Sequence, residues 1–504
     1  MLKRARFTHF HSAGRAAGIA ETIPHPSFST NAESPDFQTP SPSTEVPSPK
    51  QIYADNAIPG EVALVALSRR QRGFRLAVVD RLLTPSPDRV SPFCPHAEVC
   101  GGCNWQHLAY PAQLHWKRDT LVNALAKYGI ETPQVPEVVP SPLLQGYRNK
   151  SEYAFSTGKV PRFGFHPKED PAQIFACESC FLQPPHVHLL AQQVFNIAQT
   201  EEYHPADTLR SLQIRTTTMG ETFCMLCFYT DAPPSKATQS IIRFLTHLQQ
   251  AIPQVSGWFY TIAKCTETSR PFYPNFIHFG GTTHLEERID DMHFRYSPQA
   301  FFQPNPLQAT ALYRYIARHA QLTGAETVYD LYTGVGTIAC TLARHAKQVI
   351  GIEGNPSAIH DARLNATLNN LHNTHFITGD ILETFTPSFV DSHPKAHLII
   401  LDPPRSGTLT EIKKALLYAS PHRIIYVSCN PVSLAWDLKQ LCGGVGGNNN
   451  NNGCSNDNSN NSGGDNNGNG NNGNGNGYRV TALQPFDMFP HTHHVETVCV
   501  LEKK

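Results

Sequence analysis

Three short segments of this 504-residue chain carry residue types whose spacing suits covalent chemistry. One is Tyr426-Val-Ser-Cys429-Asn430-Pro431, where an apolar strand-like run ends on a cysteine. A thiol ahead of a helix begun by proline lies near partly positive backbone amides, which favour its thiolate. A second is Leu401-Asp402-Pro-Pro-Arg405-Ser-Gly407, again at the carboxyl end of a strand. Ligands of open α/β sheets sit outside those ends, so Asp402 is expected to face the reaction centre. The third is Phe486-Asp-Met-Phe-Pro-His491-Thr-His493-His494-Val-Glu496. Glu496 falls within a short strand and suits the role of a base if a dry pocket raises its pKa. His493 and His494 are rival bases. The three histidines lack the i, i+4 or separated-strand spacing common in zinc sites, so a metal cluster there is disfavoured.

A lone cysteine at a strand end is ordinarily a small buried hydrophobe. Its pairing with Asp402 and with the cofactor loop described next reverses that preference. Thiolate addition at C6 of a uracil converts the ring to an enolate, whose C5 can attack an electrophilic methyl group. A base must then remove the C5 hydrogen before the thiol leaves. Enzymes that methylate exocyclic amines carry a similar Asp/Asn-Pro-Pro motif followed by an aromatic residue. Arg405 stands in that place and disfavours amine methylation.

The elements that must position these groups form a repeated strand–helix alternation from about residue 291, the mark of a parallel sheet with helices on both faces. Strands are expected at Thr327–Tyr332, Val349–Glu353, His397–Asp402 and Arg423–Ser428. The helix after the second strand opens with Asn355 as N-cap and Pro356 at N1, with Ile359, Ala362 and Ala366 on one face. Between the first strand and its helix lies Asp330-Leu-Tyr332-Thr-Gly334-Val-Gly336-Thr337. Glycine at 334 and 336 lets backbone pass close to a ligand. Glu353, ending the second strand, is placed to accept hydrogen bonds from a ribose diol. A pyrophosphate binder prefers a third glycine, for which Ala339 is a partial substitute, so S-adenosyl-L-methionine is favoured over NAD. A tight turn in an unrelated α/β protein is the plain alternative. Asp380, after the third strand, is assigned to the adenine amino group.

Upstream, residues 7–90 hold short strand-like runs, including Glu61–Leu67 and Phe74–Val79, punctuated by Pro59-Gly60 and Gly73. These suggest a small β-barrel. Residues 91–290 mix strands and helices and carry Cys94, Cys100 and Cys103 on a glycine-rich turn, with Cys177 and Cys180 available as a fourth ligand. Four thiolates suit an iron–sulfur cluster or a structural zinc, and spacing alone barely separates the two. Cys224 and Cys227, in an apolar strand, read as core. Residues 24–48 are rich in Pro, Ser and Thr, and 443–477 in Asn, Gly, Ser and Asp. Neither buries enough surface to offset its ordering entropy, so both read as disordered insertions. The expected domains are therefore 1–90, 91–290 and 291–504.

Lysine plus arginine equals aspartate plus glutamate, at 41 each, so any nucleic-acid binding must rest on local patches. Arg69, Arg70, Arg72 and Arg75 supply one, although a solvated turn reads equally well. Thirteen irregularly spaced cysteines suit a reducing compartment in which thiols bind metal or do chemistry. No run has the length a membrane span needs. Lys3, Arg4, Arg6 and Arg15, with no acid before Glu21, read as a basic first strand in preference to an organellar transit peptide, and the cytoplasm is the default location.

Taken together, Asp330-Leu-Tyr-Thr-Gly-Val-Gly-Thr, Leu401-Asp-Pro-Pro-Arg-Ser-Gly, Val427-Ser-Cys-Asn-Pro and Asp487-Met-Phe-Pro-His-Thr-His-His-Val-Glu496 resemble the RNA 5-methyluridine methyltransferases over nearly the whole chain outside the insertions. The resemblance implies a Rossmann-like class I methyltransferase domain, a central α+β domain and an N-terminal barrel similar to a TRAM domain, an RNA-binding module. Gly14–Ala20 and Asn56–Glu61 would flank the first insertion, interrupting a hairpin. It implies Cys429 as nucleophile, Glu496 as proton acceptor, and cofactor contacts from Gln303 (in Phe301-Phe-Gln-Pro-Asn305), Tyr332, Glu353 and Asp402. Gly334, Gly336, Thr337 and Asp380 complete the expected cofactor set. Cys-Gly-Gly-Cys-Asn-Trp-Gln-His-Leu looks like the family's [4Fe-4S] segment, and Cys180-Phe-Leu-Gln like its fourth ligand. Tyr147-Arg-Asn-Lys150 is similar to a motif near the substrate. Thr333 stands where the family usually has cysteine, and His491 where glutamine is common. The barrel with its cluster looks more like the 23S rRNA enzymes than the shorter tRNA enzymes. The expected protein is a monomer that binds RNA, preferably ribosomal, and no membrane, with the target uridine extruded from its stack. Rival readings are a tRNA uracil-C5 methyltransferase, a C5-cytosine methyltransferase and a non-catalytic RNA-binding iron–sulfur protein.

Overall fold

The computed structural model describes residues 2–11, 14–21, 51–71, 74–156, 161–200, 208–229, 234–263, 276–443 and 477–504. The segment 24–48 and nearly all of 443–477 lie outside the described residues. The chain packs as two compact units. One comprises Met1–Thr120, His166–Gln173 and Phe489–His494, the other Leu121–Phe165, Ile174–Met488 and Val495–Lys504.

In the first unit, β1 (Lys3–Phe10), β2 (Ala16–Glu21), β3 (Gln51–Ala54), β4 (Val62–Gln71) and β5 (Phe74–Thr84) close into a barrel in the order β1-β2-β3-β5-β4. Small side chains make so narrow a barrel possible. Ala5, Ala16, Ala54 and Ala63 are fully buried beside Phe7, Ile52 and Val65. The strands flanking the first insertion pair with each other, Ala16 opposite Ala54 and Gly18 opposite Ile52. Glu61 is wholly buried at the start of β4, where both carboxylate oxygens take bonds from Arg89, at 2.6 and 2.7 Å. Amides of Ser86 and Ile58 complete its shell. Burial pushes the Glu61 carboxyl up, but Arg89 and these amides outweigh it and leave the pKa lowered. Of the arginine patch, Arg75 is half-buried on β5; the side chains of Arg69, Arg70 and Arg72 lie outside the described residues.

Helix α1 (Tyr110–Lys127) precedes the strands of the second unit. There β6 (Lys150–Ser156), β7 (Arg162–Phe165), β8 (Phe175–Ala176), β9 (Leu209–Thr216), β10 (Thr222–Tyr229), β11 (Gly257–Ala263) and β12 (Ile277–Gly281) form one sheet, ordered β12-β11-β10-β9-β6-β7-β8. Helices α2 (Pro185–Ala198) and α3 (Pro234–Ala251) share its apolar core, which holds Leu212, Cys224, Phe244 and Trp258. The hairpin of β13 (Leu285–Ile289) and β14 (Met292–Tyr296) leads to α4 (Pro306–Ala320).

The strand–helix alternation then proceeds through β15 (Thr327–Leu331), α5 (Thr337–Ala343), β16 (Gln348–Glu353), α6 (Pro356–Leu368), β17 (Thr374–Thr378), α7 (Ile381–Thr384), α8 (Pro387–Ser392), β18 (Leu398–Leu401), α9 (Thr410–Ala419), β19 (Arg423–Ser428) and α10 (Pro431–Gly443). Strands β20 (Tyr478–Phe486) and β21 (Glu496–Lys503) complete the sheet in the order β17-β16-β15-β18-β19-β21-β20. Every residue of β15, β18 and β19 is buried, as continuous apolar runs require when both faces of a parallel sheet are covered. This is the Rossmann-like arrangement expected for a class I methyltransferase, with β21 near one edge running antiparallel to both its neighbours, β19 and β20. The strand order reverses beside β15, which makes the carboxyl ends of β15 and β18 the natural ligand crevice.

Helix α6 opens as its sequence implies, with Asn355 accepting from the Ser357 amide. Its polar face has a less expected use. Asp361, Asn365 and Asn369, four residues apart, accept from the amides of Ser297, Arg295 and His293, two residues apart in and just beyond β14. The match follows from rise: four helical residues advance about 6 Å and two strand residues about 6.8 Å. Asn365 also donates to the carbonyls of Arg295 and Val335, tying the hairpin to the glycine loop. Asn365→Leu would strand these buried backbone groups. It should destabilise the protein by about 3 kcal/mol, read as a lower urea midpoint at unchanged m-value.

Candidate active site

The turn after β15 holds three departures from ordinary backbone geometry, at alternate residues. Tyr332, Gly334 and Gly336 have φ of 66°, 55° and 80°. Tyr332 adopts this left-handed conformation although it has a side chain, a strain that the surrounding structure must over-determine. At Gly336 the reason for glycine is also spatial: a Cβ would stand 3.1 Å from that of Ala362. Beneath the turn, Asp330 is buried and accepts from Thr333 Oγ1 at 2.6 Å. Burial, aided by the charge of Glu353, pushes its carboxyl up to about 7.

A cleft of about 370 Å³ opens above this turn, lined by Phe301, Gln303, Tyr313, Tyr332, Thr337 and Asp402 among others. Gly334 and Asp330 also line it. Of the residues assigned to the cofactor from sequence, Gln303, Tyr332, Gly334, Thr337 and Asp402 therefore share one cavity. Asn149 holds the Gln303 segment in place, donating to the carbonyls of Gln303 and Pro304, both at 3.0 Å. Glu353 stands at the rim of the turn, accepting from the amides of Gly334 and Asn355. Asp380 caps α7, accepting from the Leu382 amide at 2.8 Å, and does not line the cleft.

The residues assigned to the reaction from sequence gather at the same edge of the sheet. Asp402 follows β18 and Cys429 follows β19. Glu496 opens β21, which runs antiparallel to β19 with Ser428 opposite Thr497. The next step of that ladder sets Cys429 beside Glu496. Glu496 is 4% exposed, and its carboxyl is raised well above the ordinary range by burial, then by the charge of Asp402. Burial and Asp330 raise Asp402 itself to about 7. The helix-terminus argument for a stabilised thiolate does not hold in the resting chain. Burial, then Glu496, push the Cys429 thiol up to about 11. The physical reason is burial first, then the charges of Glu496 and Asp402 beside the sulfur; the Asn430 side chain accepts from the Val432 amide.

Arg405 opposes these shifts, lowering both Cys429 and Glu496 by its charge and donating a hydrogen bond to the thiol. Sequence reading used Arg405 only to dismiss amine methylation. Its position in a carboxylate-bearing motif, three residues past Asp402, was the available signal. Tyr313 was likewise missed: its hydroxyl accepts from Thr337 Oγ1 inside the cleft, and nothing in its helical context marked it.

The remaining assignments disperse. His491, His493 and His494 belong to the first unit, where Asn104 bonds the His493 ring at 2.8 Å and Gln113 contacts His491. Cys94, Cys100 and Cys103 also belong to that unit, and Cys180 to the second. Among the described residues no group of three or more His, Cys, Asp or Glu is arranged to hold a metal ion. The Cys177 thiol donates to the Ser179 carbonyl at 3.2 Å. Cys224 and Cys227 are core, as expected. No helix among the described residues is long and apolar enough to cross a membrane.

Comparison with known proteins places the chain in a family. Residues 109–444 match the family model described as tRNA (Uracil-5-)-methyltransferase. An RNA methyltransferase of Bacteroides thetaiotaomicron is 33% identical, over 90% of this chain and 96% of its own length. Another from Porphyromonas gingivalis is also 33% identical, over 89% of this chain and 95% of its own. Both carry the description uncharacterized RNA methyltransferase. Among solved structures, the Pyrococcus abyssi tRNA (uracil-54, C5)-methyltransferase, in complex with S-adenosyl-L-homocysteine, superimposes with a TM-score of 0.67. At 24% identity, covering 99% of this chain and all of that one, it shows the shared fold. The chain belongs to the RNA uracil-5-methyltransferase family and is an S-adenosylmethionine-dependent enzyme of that class.

Proposed function

We propose that the enzyme forms 5-methyluridine through a covalent adduct on Cys429. The observation that carries this reading is a thiol and two carboxyl groups, all displaced upward in pKa, meeting at the carboxyl edge beside the glycine turn. S-adenosyl-L-methionine, when bound, supplies the methyl group and a positive sulfonium whose charge opposes the burial that keeps these groups protonated. Gln303, Tyr332, Gly334, Gly336, Thr337, Glu353 and Asp402 are the residues assigned to hold it, with Asp380 at the adenine. The donor set fits: carboxylates for the cation, and close backbone approach at the glycines.

In the first step the Cys429 sulfur bonds to C6, and the C5–C6 electron pair moves onto the ring carbonyl. Arg405 favours the thiolate, and Asp402, poised near 7, is the acceptor for the thiol proton. C5 then takes the methyl group. Glu496 removes the C5 proton, the electron pair returns to C5–C6, and the thiolate leaves. A carboxyl raised by burial suits this last role, because its conjugate base is stronger than that of an exposed glutamate.

For the substrate we favour 23S rRNA, on the strength of the N-terminal barrel. Transfer RNA is the second reading, favoured by the family model's own description. The assignment of Cys94, Cys100, Cys103 and Cys180 to a [4Fe-4S] cluster rests on their spacing and on the family resemblance, and no step above runs through it.

Incubation with 5-fluorouridine RNA and cofactor should leave a denaturation-resistant adduct on the parent enzyme, and none on Cys429→Ala. The variant's turnover should fall by at least about 10³-fold. Glu496→Gln should accumulate methylated adduct on ordinary RNA. Trapping by 5-fluorocytidine RNA in place of 5-fluorouridine would reassign the base. Mapping 5-methyluridine in a deletion strain should show one site lost from 23S rRNA; loss from tRNA would move the enzyme to the second reading. Protein purified without oxygen should carry about four iron and four sulfide per chain, and zinc in their place would reject the cluster.

A further inference from the structure

The Asp402–Thr408 segment carries two of the groups that surround the reacting sulfur, yet it is neither helix nor strand. Something must hold it to the precision that catalysis needs. The candidate is Asp437 on α10, a carboxylate that is 2% exposed and lies outside the cofactor cleft.

Asp437 gathers donors from three other elements. Lys413 on α9 donates to Oδ1 at 2.5 Å. The Tyr426 hydroxyl, from β19 three residues before Cys429, donates to Oδ2 at 2.6 Å. The Thr408 amide donates to the same oxygen at 2.8 Å. Helix α10 also grips the other end of the loop: Asn430 Nδ2 and Ser433 Oγ both donate to the Arg405 carbonyl, at 3.1 and 3.2 Å. Gly407 shows how close the approach is. Its φ is +83°, and a Cβ there would stand 2.6 Å from Asp437 Oδ2.

A Lys–Asp pair this deeply buried returns little net stability, because desolvation offsets the Coulomb attraction, and apolar residues of similar volume would pack as well. What it adds is direction. Two carboxylate oxygens fix a loop amide, a strand tyrosine and a helix lysine in one constellation, and Lys413 supplies the charge that a buried Asp437 requires.

We propose that Asp437 is a positioning residue of the methyl transfer: through the Thr408 amide and the Tyr426 hydroxyl it sets the 402–408 loop, and with it Asp402 and Arg405, against Cys429 and Glu496. The proposal rests on the assignment of Cys429 and Glu496 above. It places the control of the rate in a group that touches neither RNA nor cofactor.

Steady-state and single-turnover kinetics of Asp437→Asn test it. The variant keeps one oxygen for the Thr408 amide but loses the second acceptor and the charge. A displacement of the reacting groups by about 1 Å costs on the order of 10²-fold in rate. The expected result is therefore a kcat lower by about that factor, with the KM for S-adenosylmethionine within about threefold of the parent and slower capture of 5-fluorouridine RNA. Tyr426→Phe carries the test if Asp437→Asn does not fold. It removes one donor and leaves the charge pair, and its kcat should fall by at least about tenfold at unchanged melting temperature. A folded Asp437→Asn, or in its place Tyr426→Phe, with parental kcat would overturn the positioning role. So would a loss of activity that tracks only the loss of folded protein. Turnover by Cys429→Ala in parallel would overturn the nucleophile assignment alone.

Discussion

The pairing of β19 with the antiparallel strand β21 is the constraint on which the site depends. Parallel strands deliver their carboxyl ends to one edge of a sheet, and that edge receives Asp402 and the cysteine. A base on another parallel strand would have to arrive by the same route. An antiparallel strand instead begins at that edge, so Glu496, its first residue, meets the sulfur at the end of β19. The hydrogen-bond ladder that builds the sheet is thus also what spaces Cys429 and Glu496, the proposed nucleophile and base.

Burial then sets the chemistry. Asp330, Asp402 and Glu496 are carboxyl groups at one edge of a sheet, and each is raised by loss of solvent and by the charge of a neighbour. The same burial raises the thiol. Burial thus displaces these groups in one direction, and Arg405 opposes it at Cys429 and Glu496. A cation in the cleft lowers the carboxyls of Asp330 and Asp402, both of which line it.

Two buried carboxylates away from that edge have donors on both oxygens. Glu61 in the barrel and Asp437 behind the catalytic loop each accept from a cation and from backbone amides. Glu61, so supplied, keeps its pKa down despite burial, whereas the carboxyls at the carboxyl edge are raised.

Much of this was legible in the linear chain. Apolar runs of five or six residues alternating with helical patterns, an Asn-Pro helix start at 355–356 and glycines at 334 and 336 determine the sheet and its cofactor turn, because each reflects a local backbone requirement. Cysteine and glutamate in their motifs indicated covalent chemistry for the same reason: the reaction demands those atoms. What sequence alone left undecided was everything set by contacts between distant segments. The raised thiol contradicts the local helix-terminus argument because burial, and then Glu496 and Asp402, come from distant segments that no short window of sequence contains. Arg405, Tyr313 and Asp437 carry no pattern of their own; they matter through what the fold brings against them. Local propensity acts over a few residues, while electrostatics and burial act through space, and only the tertiary structure decided who meets whom.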